Sequence, residues 1–80
     1  MSIPNQTNII VVDGSSEVYF KVRTTSSFGH LFDAYLQRTS LKAETLTLLN
    51  ERTNKVLTGF DRDTGLLQLC QEGDKLVVLP

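Results

Sequence analysis

The most reactive side chains in this 80-residue chain are one cysteine, Cys70, and one histidine, His30. A cysteine nucleophile needs a cationic neighbour to lower its pKa, and Cys70 stands among Leu69, Gln71 and Glu72, which supply none. It reads as a small packing residue. One thiol cannot close an internal disulfide, and with a single histidine it cannot build a structural zinc site or hold an iron–sulfur cluster. No serine stands in a nucleophile elbow, no triad motif is visible, and no GxGxxG or Walker loop offers a phosphate cradle. These residues predict neither an enzyme nor a cofactor.

The remaining chemistry is recognition by backbone and surface. Glu17 to Arg23 alternates, with Val18, Phe20 and Val22 on one face and Tyr19, Lys21 and Arg23 on the other, the pattern of a half-buried strand. Such a strand at a sheet edge offers unpaired N–H and C=O groups to which a partner peptide adds as a further strand. The same residues also suit a plain core with edge charges that prevent aggregation.

Ile9 to Val12 is β-branched and runs into Asp13-Gly14, a hairpin-turn dipeptide, so it predicts a first strand antiparallel to the second. Thr24 to Ser27 offers N-cap hydroxyls, and Phe28, Leu31, Phe32, Tyr35 and Leu36 follow at helical spacing, which predicts a helix from Ser27 to Arg38. Gly29 in its first turn costs about 1 kcal/mol relative to alanine, so packing on a sheet must hold the helix. Leu46, Leu48 and Leu49 mark a third strand, Lys55-Val56-Leu57 a short edge strand, Leu66 to Leu69 a helical turn, and Lys75 to Leu79 the last strand. The order is ββαββ, an α+β β-grasp with a mixed four- to five-stranded sheet packed on one helix. The first and last strands would lie parallel at the centre, leaving the second on an edge.

Eighty residues support one core, placed at 8–80 behind a polar segment 1–7 expected to be flexible. Forty per cent hydrophobic and 21% charged residues argue against disorder, and a formal charge of −1 argues against nucleic-acid binding. No apolar run approaches the roughly 20 residues that span a bilayer. A monomer in a reducing compartment, nucleus or cytosol, is expected.

Ser15 to Arg23, followed by Thr25, Leu31, Tyr35, Gln37 and Arg38, resembles the second strand and helix of SUMO, within the ubiquitin-like superfamily, and Gly73 to Val78 resembles its acidic turn and last strand. The resemblance implies a ubiquitin-like module that binds proteins carrying short aliphatic SUMO-interacting motifs. Phe20, Val22, Leu31 and Ala34 would receive apolar side chains beside Tyr19, and Lys21, Arg23 and Arg38 would meet flanking acids. It also implies a surface for the SUMO-conjugating enzyme at Glu51, Glu72 and Asp74. Phe32 stands where the family has lysine, which implies either an exposed aromatic in a partner surface or a helix rotated so that Phe32 is partly buried. The family's Gly-Gly tail would follow Pro80 or be absent, which leaves open a conjugated modifier or a module embedded in a larger protein. A structural assembly domain and a Ras-binding-type domain are the other readings that a β-grasp allows.

Overall fold

The computed structural model describes residues 5–80. Its strands are β1 (Gln6–Asp13), β2 (Ser16–Arg23), β3 (Leu48–Asn50), β4 (Lys55–Leu57) and β5 (Lys75–Val78). The main helix is α1 (Phe28–Arg38); a 3-10 turn at Gly59–Asp61 and a short helix, α2 (Leu66–Leu69), lie between β4 and β5. The sheet order is β2-β1-β5-β3-β4, with β1 parallel to β5 and every other pair antiparallel. This is the α+β architecture expected, with five strands, and β2 lies on an edge.

β1 starts earlier than the β-branched run suggests. Gln6 pairs with Arg23 and Thr7 with Val22, so the strand takes in part of the segment 1–7 that was expected to be flexible. Residues 1–4 lie outside the described residues. Thr7 is buried, and its hydroxyl donates to Glu72 at 3.1 Å, which satisfies a polar side chain on the inner face. At the other end Asp13 pairs with Ser16, and Gly14 turns the chain at φ 62°, a conformation that L side chains rarely adopt.

Strand alternation puts Ile9, Val11 and Val22 on the face that α1 covers, where they are buried with Leu48, Leu57 and Leu76. From α1, Phe28, Leu31, Phe32 and Tyr35 fill the space opposite. Phe32 is wholly buried, its ring 5.8 Å from that of Phe28, which decides for burial over an exposed aromatic. Helical spacing already put it in the apolar stripe; the likeness to a lysine position pointed the wrong way.

The N-terminus of α1 is held by backbone, not by a hydroxyl cap. Ser27 occupies the N-cap position without a side-chain bond, while the N–H groups of Phe28 and Gly29 donate to the carbonyls of Thr64 and Arg62 at 2.8 and 3.0 Å. A Cβ on Gly29 would stand 3.0 Å from the Arg62 carbonyl oxygen, so glycine there permits the close approach of the loop. Arg62 then reaches Asp33 on the helix through two parallel hydrogen bonds of 2.6 Å.

Candidate functional site

Because Asp13 and Ser16 close the hairpin, the even-numbered residues of β2 turn their backbone groups toward β1, as the Thr24 N–H donating to the Asn5 carbonyl continues to do. The N–H and C=O groups of Glu17, Tyr19 and Lys21 therefore face outward, and among the described residues no strand pairs with that side. Beside this edge, between β2 and α1, lies a cleft of about 260 Å³.

Phe20, Lys21, Val22, Arg23, Leu31 and Ala34 line the cleft, so the structure brings together most of the expected groove residues. Val22 and Leu31 are buried and form its floor, and Phe20 and Ala34 are half-buried at the rim. The Phe20 ring meets Tyr35 edge-on at 6.3 Å, which fixes that wall. Tyr19 and Arg38 do not line the cleft: Tyr19 is 67% exposed on the sheet's outer face, and Arg38 is exposed in the last turn of α1. Lys21 and Arg23 also project from the outer face, as their register opposite Asn8 and Gln6 requires. Their charges border the edge from the side away from the helix.

Gln6, Ser26 and His30 complete the cleft, and the sequence reading did not place them there. Gln6 carries no such signal because the β-branched run that marks β1 begins only at Ile9. His30 follows from helix geometry, since it precedes Leu31 and lies one turn before Ala34.

The second expected surface is not assembled. Asp74 is 6% exposed and accepts hydrogen bonds from the Gln71 N–H, Arg52 Nε and Asn50 Nδ2 at 2.7, 2.8 and 3.1 Å. Burial alone would raise its pKa, but these donors hold it below the ordinary aspartate value. Asn50, also buried, donates to the Leu69 carbonyl and accepts from the Arg52 N–H. Glu72 accepts from the Asn8 N–H and the Thr7 hydroxyl, and the Asn8 bond chiefly holds its pKa down. Asp74 thus acts as internal structure; of these three acids, only Glu51 is exposed and without a side-chain partner among the described residues. The missed signal was Asn50, a polar residue inside an apolar strand, which needed a buried partner.

Cys70 is 1% exposed, and burial, with the Asp74 charge adding, pushes its thiol up to about 12. It stays protonated near neutrality, which suits packing and not nucleophilic attack. Among the described residues no group of three or more His, Cys, Asp or Glu side chains stands ready to hold a metal. No helix among them is long and apolar enough to cross a membrane.

The sheet's outer face carries a row of apolar side chains, since the register aligns Val12, Val77, Leu49 and Val56 across four strands. A second cleft, about 400 Å³, lies where Ala43 and Leu46 face Gly59 and a fully exposed Phe60.

A mixed sheet of this strand order, folded around one helix with parallel central strands, is the ubiquitin-like β-grasp. No protein-family model and no curated protein sequence matches the chain, but solved structures do. The ubiquitin-like domain of an Arabidopsis thaliana protein superposes with a TM-score of 0.76 at 15% identity, covering 99% of this chain and 81% of its own. The ubiquitin of Caldiarchaeum subterraneum gives 0.73 at 21% identity over 91% and 90%. The C-terminal ubiquitin-like domain of mouse tubulin-specific chaperone e gives 0.69 at 9% identity over 98% and 89%. At these identities the likeness establishes the fold.

Proposed function

We infer that the chain is a SUMO-like protein-interaction module that takes an extended aliphatic peptide as an added strand along β2. The observation that carries this reading is the coincidence of a free edge eight residues long with a cleft floored by Val22 and Leu31. The peptide backbone bonds to the outward groups of Tyr19 and Lys21, its alternate apolar side chains enter the cleft, and its acidic flank meets Lys21 and Arg23. A helix or a phosphate group would leave the edge bonds unused.

Burying about 300 Å² of apolar surface gains roughly 7 kcal/mol against an association cost of about 4 kcal/mol or more. The remainder is millimolar binding before edge hydrogen bonds and charge pairs add to it, so the module works through several weak contacts at once. The same reading places it with SUMO-type signalling in the nucleus or cytosol. A docking surface for a conjugating enzyme has less behind it, because Asp74 is buried and Glu72 is engaged with β1.

The test is a two-dimensional NMR titration with a peptide of alternating valine and isoleucine flanked by aspartates. Saturable shifts at Phe20 to Arg23 and His30 to Ala34 are expected. Absence of shifts at millimolar peptide overturns the reading, and shifts confined to Val12, Leu49 and Val77 move the site to the outer face. A parallel titration with an active small GTPase addresses the Ras-binding alternative.

A further inference from the structure

The free edge of β2 is complementary to itself. Its outward-facing backbone groups belong to Glu17, Tyr19 and Lys21, and the side chains of those residues share the outer face with Arg23. If two copies align their β2 strands antiparallel about a twofold axis through Tyr19, Glu17 of each stands opposite Lys21 of the other, twice over. On the inner face Val18 of each stands opposite Phe20 of the other. The exposed ring of Tyr19, 67% accessible in one copy, meets its own mate on the axis.

We propose that this domain pairs with a second copy of itself through β2, joining two five-stranded sheets into one continuous sheet with both α1 helices on the same side. Charge decides the register. Moving the axis two residues toward Arg23 would set Lys21 against Lys21, and moving it two residues toward Ser16 would set Glu17 against Glu17. In the single copy Glu17 lies 3.6 Å from Lys75, which reaches it from β5 across β1, and accepts from the Tyr19 hydroxyl at 3.3 Å, so pairing exchanges the Lys75 contact for Lys21 of the other copy. The interface is isologous, so it closes at two copies and does not propagate into fibres. A single strand pair buries less than a standard interface, so the dimer is weak and transient, and below its dissociation constant the chain is a monomer.

The pairing uses the edge proposed for peptide binding but does not depend on that function, since it needs only the edge and its charges. Where both operate, a second copy and a peptide exclude each other.

Sedimentation equilibrium of the 80-residue chain, without peptide, tests this. At about 1 mM, where weak interfaces are populated, the mean mass should rise above the 8.9 kDa monomer. Glu17→Lys should weaken association about tenfold or more by setting lysine against Lys21 twice, and Glu17→Lys with Lys21→Glu should restore it by exchanging the partners. Unchanged two-dimensional NMR spectra of the dilute variants, outside the substituted strand, separate lost pairing from lost folding. A strictly monomeric wild type at that concentration overturns the proposal. So does an association that Glu17→Lys leaves intact or that the double variant fails to restore.

Discussion

The two edges of the sheet differ in length and in what lies around them. β2 runs eight residues with no neighbouring strand on its outer side among the described residues, and a cleft follows it. β4 runs three residues and is closed at both ends: before it the Asn54 N–H bonds back to the Asn50 carbonyl at 2.7 Å, with Asn54 at φ 57°. After it, Thr58 and Asp61 bond reciprocally in a capping box. A strand that short gives an incoming chain too few consecutive groups to bond. The β4 side also carries the polar network of Asn50, Arg52 and Asp74 and the loop that grips α1. One side of the molecule is committed to stability, and the other is left open to partners.

The sharpest way to break this comparison is a pair of adjacent proline substitutions. Phe20→Pro removes an N–H that bonds to β1 and a ring that packs on Tyr35, and should cost about 3 kcal/mol or more, unfolding much of the population. Lys21→Pro removes an outward N–H and should cost about 1 kcal/mol or less, yet abolish strand addition. Urea unfolding combined with peptide titration reads both. Equal destabilisation by the two prolines would mean that β2 is not a free edge.

Next in size is Asp74→Ala, which strips an acceptor from three donors in a buried setting and should cost about 2–3 kcal/mol at neutral pH while leaving peptide affinity of the folded fraction unchanged. Its folded pKa is lowered, so its contribution is complete above the ordinary value of 3.8 and is lost as pH falls through the lower folded value. The difference in urea midpoint between wild type and variant should therefore shrink as pH falls below the ordinary value of 3.8. A constant difference across that range would mean that the carboxylate charge does not matter.

The open side was the more legible of the two. The alternation of Val18, Phe20 and Val22 and the Asp13-Gly14 turn are local signals, and they fix the hairpin, the edge and most of the cleft. Helical spacing likewise set the buried stripe of α1. The stabilising side was not legible because its contacts are long-range. Asp74 and Asn50 meet 24 positions apart, and Thr7 and Glu72 meet 65 positions apart, so each reads alone as a solvated polar residue. Gly29 reads as a defect in a helix until Arg62 is placed against it.

That glycine gives a smaller effect with an informative sign. In an exposed helix Gly→Ala stabilises by about 1 kcal/mol, whereas Gly29→Ala should destabilise by about 1 kcal/mol, because the new methyl meets the Arg62 carbonyl at 3.0 Å. The loop from Arg62 to Thr64 is what seats α1 over the sheet, so the same variant should shift the amide resonances of Leu31 and Ala34 at the cleft. Stabilisation without those shifts would show that the loop does not position the groove.

The smallest effect belongs on the short edge. Val56 in β4 is 48% exposed on the outer face, opposite Leu49, and lies four strand positions across the sheet from β2. Val56→Lys puts a charge on an edge strand, a substitution that edges commonly carry, and should change stability by no more than about 0.5 kcal/mol. If β2 alone is the docking edge, peptide affinity and self-association should both match wild type in this variant. A clear loss of either would relocate binding to the apolar row from Val12 through Val77 and Leu49, because Val56 touches that row and nothing in the cleft.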